Sequence, residues 1–363
     1  MSQLLGLGIS LVERGWIPDA VTRRAIRNLC AARLRDPGQT VRLDRQAARQ
    51  ALLSSLRAGP VALVPHAANE QHYELPAEFF ELVLGPRRKY SCCWFPAAST
   101  TLPEAEDAAL QLTCEHADLQ NGQEILELGC GWGSLSLWMA VRYPDSRITA
   151  VSNSASQRAS IEAAARSLFL TNLRVITADM NDFSPAGTRF DRVVSVEMFE
   201  HMRNFRLLLE RIGSWLRPGG KLFVHHFCHR ELLYEFETEG TANWMGRYFF
   251  TGGIMPDANL LQRFPDTLAV TQQWTWPGTH YQRTADCWLA NLDARRELAL
   301  DILRAAYGPQ DATRWLHRWR MFFLAVSELF GYAKGEEWFV SHALLEPVHS
   351  SVAQARCSAC SQV

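Results

Sequence analysis

Apolar residues recur at intervals of three and four in Ala20 to Leu34 and again in Gln46 to Leu56, the period of one buried helix face. Pro37-Gly38 and Gly59-Pro60 interrupt this region, as chain-breaking pairs do between helices. Met1 to Val12 is mildly apolar but has no basic start and no small-residue cleavage site. It reads as the first turns of a helix, not as a signal peptide. The pattern predicts a helical cap over residues 1–95. Thr101-Leu-Pro-Glu104 then matches a capping box with proline in the first turn, so a helix is expected from there to about Leu119.

Beyond that helix the pattern alternates. Apolar strand-like runs are expected at Glu124 to Gly129, Arg147 to Ser152, Arg174 to Ala178, Arg189 to Val196 and Lys221 to Phe227. Helical patterns fall between them at Ser134 to Tyr143, Ser156 to Leu168 and Phe205 to Leu216. Such alternation argues for an α/β fold with a mostly parallel sheet and helices on both faces. Arg230 to Asp266 is irregular and aromatic-rich. After it come a strand at Ala269 to Thr275, helices at Asp286 to Tyr307 and Asp311 to Leu329, and a strand at Glu337 to Leu345. Five strands and a late pair give the seven-stranded, Rossmann-like sheet of a class I methyltransferase. The catalytic domain is expected over 96–350, with a helical insertion at about 230–335 before the last strands and a flexible tail at 351–363.

Composition narrows the classes. The 363 residues are 47% hydrophobic with a formal net charge of −1, so bulk electrostatics points to no nucleic-acid partner. The basic cluster Arg87-Arg88-Lys89 reads as a solvated face. No run approaches the roughly 20 apolar residues of a membrane span. Nine scattered cysteines form no disulfide framework, which suggests a reducing, cytoplasmic setting. Cys357-Ser-Ala-Cys360 lacks a second ligand pair nearby, and no metal site is expected.

The sharpest local signal is Glu127-Leu-Gly129-Cys-Gly131-Trp-Gly133, between a strand and a helix. Glycine is required where backbone turns tightly against a ligand and a Cβ would collide. A dinucleotide loop has the related spacing G-x-G-x-x-G. Here the third glycine comes one residue early and an acid precedes the first, which is the form that binds S-adenosylmethionine (SAM). Glu127 would face the amino acid end of this cofactor. The acid usual at the end of the next strand is replaced by Ser152-Asn153-Ser154, leaving Asn153 and Gln157 as neutral partners for the ribose. Asp179 suits the adenine amino group, and Met180 either packs on the adenine face or is plain core.

With their flanks, these residues resemble the cyclopropane-fatty-acid synthase superfamily, and most closely its coclaurine N-methyltransferase branch. The resemblance runs through Tyr90-Ser-Cys-Cys-Trp-Phe95, Glu197-Met-Phe-Glu-His201, Leu222 to His229, Arg247 to Pro256, Trp319 to Phe323 and Glu328 to Tyr332. It implies that Tyr90 and Ser91 close over the methionine end of SAM. In the lipid-modifying branch a cysteine, glutamate, histidine and tyrosine hold bicarbonate, and Cys92, Glu200, His225 and Tyr281 match them. In the N-methylating branch Glu197, Glu200 and His201 match residues that bind or deprotonate the amine. The sequence satisfies both sets, while the Arg247 to Pro256 and Trp319 matches favour the amine branch.

The chemistry is consistent with that choice. An amine attacks only as the free base, so a carboxylate or histidine must take its proton. Glu197, Glu200 and His201 follow the fourth strand, at the carboxyl edge where open α/β sheets bind ligands. The competing structural reading is a helix N-terminus enriched in acids. His226 and His229 read as satisfied core histidines. Among the late aromatics most read as core, with Trp319 and Phe322 singled out as pocket residues. The expected partner is a small-molecule amine or, alternatively, an unsaturated lipid acyl chain. A non-catalytic SAM-binding scaffold would need a lost catalytic residue, and none is lost. The oligomeric state is open, a homodimer included.

Overall fold

The computed structural model describes residues 2–35, 39–63, 75–240 and 243–348. The expected tail at 351–363, with its cysteine pair, lies outside the described residues, as does Pro37-Gly38. Ahead of the sheet run helices α1 (Ser2–Glu13), α2 (Asp19–Leu34), α3 (Gln39–Ser55), α4 (Ala77–Val83) and α5 (Leu102–His116). The predicted capping box is present at Thr101 and Glu104, with the Thr101 N–H donating to Glu104 Oε2 at 2.8 Å.

Strands β1 (Glu124–Leu128), β2 (Arg147–Ser152), β3 (Leu173–Thr177), β4 (Phe190–Val196) and β5 (Leu216–His229) pair in parallel. Helices α6 (Ser134–Arg142), α7 (Ala155–Ser167) and α8 (Phe205–Trp215) connect them. The insertion holds a two-stranded pair, β6 (Tyr234–Glu235) with β7 (Ile254–Met255), around the short α9 (Trp244–Tyr248). Strand β8 (Leu268–Trp276) follows, then α10 (Gly278–Ala294), α11 (Arg296–Tyr307), α12 (Ala312–Gly331) and β9 (Trp338–Pro347). The sheet order is β3-β2-β1-β4-β5-β9-β8, with β9 antiparallel to both neighbours. This is the class I methyltransferase fold expected from the sequence.

Several boundaries differ from the sequence reading, among them the helix expected from Asp286, which begins at Gly278. Strand β5 begins at Leu216, not Lys221, because Pro218-Gly-Gly220 lies within it beside a register shift opposite Phe190 and Arg192. A Cβ on Gly220 would come within 2.9 Å of the Phe190 carbonyl oxygen, so only glycine lets the strands close there. The single helix expected over Asp286 to Tyr307 is two, parted at Arg295 with φ −118°.

Helices α1 and α2 pack on α12, fastened by charge. Arg23 reaches Glu328 at 2.8 Å and Asp286 at 2.7 Å, Arg320 reaches Asp19 at 2.8 Å, and Arg318 reaches Glu13 at 3.0 Å. Beneath them Phe79, Phe80, Trp288, Trp319 and Phe323 are at most 1% exposed. Burying side chains of this size contributes about 1.5–3 kcal/mol each, so this aromatic layer holds one wall of the site in place. No helix among the described residues is long and apolar enough to cross a membrane.

Candidate active site

The glycine loop leaves β1 at the carboxyl edge of the sheet. Gly129, Gly131 and Gly133 have φ of 79°, 52° and 82°, a region that side chains penalise. The Gly129 and Cys130 N–H groups both donate to the Val151 carbonyl at 3.0 Å, anchoring the loop to β2. A Cβ on Gly129 would meet Met198 at 2.9 Å and one on Gly133 would meet Ile161 at 2.6 Å. A Cβ on Gly131 would meet nothing within 4 Å, because it would project into an open cleft lined by this residue.

That cleft is two adjoining cavities with about 920 and 770 Å³ of empty space, open solvent at their mouths included. Asn153, Gln157, Asp179 and Met180, the residues expected around a nucleoside, line the second together. Gln157 is 1% exposed, and its Oε1 accepts from Ser152 Oγ at 2.7 Å. Its Nε2 has no partner among the described residues. A buried donor without a partner is costly, and the ribose diol of SAM would satisfy this one. Asp179 turns one oxygen to the Asn181 N–H at 2.8 Å.

Tyr90, Ser91 and Glu127 line the first cavity. Glu127 is 2% exposed and accepts from Ser136 Oγ, and burial pushes its carboxyl up to about 8. The cationic amino group of SAM would compensate a carboxylate there. Lys89 also lines this cavity and is buried, which corrects the reading of Arg87-Arg88-Lys89 as a solvated face. Arg87 and Arg88 pair with Asp107 and Glu81 near the surface, whereas Lys89 is 3% exposed. Its Nζ donates to Ser91 Oγ at 2.5 Å and to the Cys92 carbonyl at 2.7 Å. The flanking arginines hide this position in the sequence, because a run of three cations looks the same whichever one turns inward.

Glu197 is the centre of the site. It leaves β4 with φ 49°, a strained conformation for a residue with a side chain. Its Oε1 accepts from the Cys92 N–H at 3.1 Å and lies 3.2 Å from His225 Nε2, and its Oε2 accepts from the Tyr281 hydroxyl at 2.7 Å. Burial raises its pKa, opposed chiefly by the Lys89 charge and the Tyr281 hydrogen bond. Cys92, His225 and Tyr281 thus do converge, but around the Glu197 carboxylate. Cys92 contributes its backbone N–H. Its thiol, held well above the usual range by burial, points at the Cys93 carbonyl.

The acids and the histidine after β4 do not start a helix. Phe199–His201 is one short 3₁₀ turn, and α8 begins later, capped by Asn204. His201 lines both cavities and stacks on Phe250 at 4.5 Å. Burial lowers its pKa to about 4. Glu200 is turned away from the cleft and is 0% exposed, its Oε1 accepting from the Phe227 N–H at 2.7 Å. Desolvation and the neighbouring Glu197 charge raise its pKa well above the usual range. Phe322 lines the first cavity, while Trp319 lies behind it against Phe79. His229 is only half the satisfied core histidine expected: its Nδ1 accepts from two N–H groups, but its Nε2, 3.5 Å from Glu337, has no hydrogen-bond partner among the described residues. His226 is buried with neither ring nitrogen partnered among the described residues, so it is not the satisfied group expected. Phe227 and Trp288 also line the aromatic cavity. Their spacing in the sequence is that of ordinary core, so no signal separated them from it.

Comparison with known proteins agrees with this geometry. A family model described as mycolic acid cyclopropane synthetase matches residues 64–331. (S)-Coclaurine N-methyltransferase of Thalictrum flavum subsp. glaucum is 39% identical over 339 residues, 92% of this chain and 94% of that protein. The cyclopropane-fatty-acyl-phospholipid synthase of Escherichia coli (strain K12) is 29% identical over 221 residues, 60% of this chain and 54% of its own length. The crystal structure of coclaurine N-methyltransferase bound to N-methylheliamine and SAH superposes with a TM-score of 0.87 at 38% identity, over 93% of this chain and 98% of that one. The chain belongs to the mycolic acid cyclopropane synthetase family and is a SAM-dependent methyltransferase with the class I fold.

Proposed function

We propose that the protein N-methylates a small amine carrying an aromatic ring, with Glu197 and His201 beside the reacting nitrogen. The observation that carries this reading is their place at the junction of the nucleoside cavity and the aromatic one. When bound, SAM supplies a methyl group on a sulfonium, open to in-line displacement. Gly129, Gly131, Asn153, Gln157 and Asp179 would hold its nucleoside part, Met180 would pack on the adenine, and Tyr90, Ser91 and Glu127 would hold the methionine end.

The Glu197 carboxylate draws an ammonium into the cleft, and the faces of Phe250 and Phe322 suit both a cation and an aromatic ring. The proton must leave before the nitrogen attacks. His201, neutral at physiological pH, and Glu197 are the two groups placed to take it. Glu200 acts from behind, fixing the Phe227 backbone. The relatives named for N-methylation support this reading, since they span nearly the whole chain, whereas the lipid synthase matches 60% of it.

A lipid acceptor is the second reading, favoured by the convergence of Cys92, His225 and Tyr281. Against it, the Glu197 carboxylate fills the space between them that a bicarbonate would need. The test is transfer of labelled methyl from SAM, run in parallel on a panel of amines and on vesicles of unsaturated phospholipid, with and without bicarbonate. Label in an amine, independent of bicarbonate, supports the proposal. Label in acyl chains, dependent on bicarbonate, overturns it.

A further inference from the structure

Behind Glu197 the hydrogen bonds do not stop at His225. His225 on β5 stands directly opposite His342 on β9, and His342 stands opposite Trp274 on β8. Directly opposed residues project to the same face of a sheet, so the register lines up a row of rings across three strands. His225 Nδ1 lies 2.8 Å from His342 Nε2, and His342 Nδ1 lies 2.8 Å from His116 Nδ1. His116 ends α5 and stacks flat on Trp274, with centroids 4.1 Å apart and planes within 5°. His225 and His342 are 0% exposed, while His116 is half-buried. Three imidazoles therefore join the active-site carboxylate to the margin of the protein.

A neutral imidazole has one N–H and one bare nitrogen, so a row of them has a direction. An ionised Glu197 needs a donor at His225 Nε2. That leaves His225 Nδ1 bare, to accept from His342 Nε2–H, and leaves His342 Nδ1 bare, to accept from His116 Nδ1–H. Every ring then donates toward the carboxylate. Burial disfavours the cationic forms of His225 and His342, which keeps one proton on each.

We propose that His342 and His116 are positioning residues for the methyl transfer: they fix which nitrogen of His225 carries its proton, and so hold buried Glu197 in the ionised, proton-accepting form. This rests on the reading of Glu197 as a base. The charged and titratable groups that face the line are few. Glu197 faces Lys89, His201, Tyr281 and Cys92 and lies near Glu200; His225 and His342 face Lys89 and His226; and His116 faces Glu115. All of these remain in the variants that test it.

The experiment is the pH profile of kcat/KM for one amine in the wild type, His342→Phe, His342→Gln and His116→Phe. Comparing variants on the same amine cancels the amine's own titration. Without the line, His225 is free to turn its bare nitrogen to Glu197, so the acid limb should move up by about one pH unit in both phenylalanine variants, the scale of a lost hydrogen bond to a charged group. His342→Gln should keep the wild-type limb, because its amide can donate to His225 Nδ1. An unmoved limb in both phenylalanine variants, with rates lowered equally at every pH, would overturn the proposal. If His342→Phe does not fold, His116→Phe decides alone, since its ring keeps the stack on Trp274. Glu197→Gln separates the two failures: full activity there removes the base itself. Lost activity there with unmoved limbs elsewhere removes only the line.

Discussion

The Tyr281 hydroxyl, on helix α10, donates to Glu197 Oε2 across 2.7 Å, tying a residue late in the chain to the end of β4. It is one of the few interactions that favour the charged form of a carboxylate buried in the cleft. A hydrogen bond to a charged group is worth about 1.5–3 kcal/mol. Tyr281→Phe should therefore lower kcat roughly tenfold or more and raise the pH of its acid limb, with SAM affinity unchanged. Steady-state kinetics beside calorimetric SAM titration checks this, and an unchanged kcat would count against Glu197 as the base.

Glu197 and Glu200 are three residues apart and should respond oppositely to the same change. Glu197→Gln removes the charge at the cavity junction and should cost about 100-fold or more in turnover. Burial and the Glu197 charge push the Glu200 carboxyl well above the usual range, and glutamine can keep the acceptor for the Phe227 N–H, so Glu200→Gln should stay within about threefold of wild type, a small part of the effect of losing an acid–base group. Equal losses in the two variants would mean that both carboxyls act in the reaction.

His201→Ala should also leave SAM affinity within a few-fold while cutting turnover about 100-fold, the scale of a missing acid–base group. Because burial holds the His201 pKa near 4, its protonation should not shape the activity profile between pH 6 and 8. A rate limb near 6.5 that vanishes in His201→Ala would contradict that placement.

The sheet was legible because its strands are short apolar runs punctuated by glycine and capped helices, all local signals. The glycine loop and the Asn153, Gln157, Asp179 and Met180 wall were legible for the same reason. The partnership of Glu197 with Cys92, His225 and Tyr281 was not, since it joins four segments whose approach depends on tertiary packing. Family resemblance gathered three of those residues but placed Glu200 with them. Glu197 leaves β4 at a positive φ, a turn of the backbone that no local pattern in the sequence marks. Lys89 and His342 escaped notice because nothing local marks an inward lysine or a histidine opposed across a ladder.

Gly131 gives a direct test of the cofactor loop. A valine there would project into the cleft, where no protein atom lies within 4 Å of its Cβ, and would take space assigned to SAM. Gly131→Val should weaken SAM binding by more than about 100-fold, on the scale of a lost buried contact. Gly187→Val, also at positive φ (86°) with open space around it, controls for backbone strain and should leave SAM affinity intact. Equal weakening in both would place the effect in folding, not in the site.

Glu127 makes a prediction about pH. Its carboxyl titrates near 8 because burial disfavours the charge, so near pH 7 it is mostly protonated before the cofactor binds. The ammonium of SAM favours the ionised form, so binding should expel close to one proton at pH 7 and affinity should rise from pH 6 to about 8 before levelling. The folding sign runs the other way. A carboxyl whose pKa is raised on folding contributes stability below its unfolded value of 4.5 that is lost as pH climbs through about 8. The free protein should accordingly lose thermal stability over that interval, while saturating SAM restores it. Calorimetry in buffers of different ionisation enthalpy counts the proton directly. A count of zero at pH 7, or the same result in Glu127→Gln, would remove Glu127 from the amino end of the cofactor.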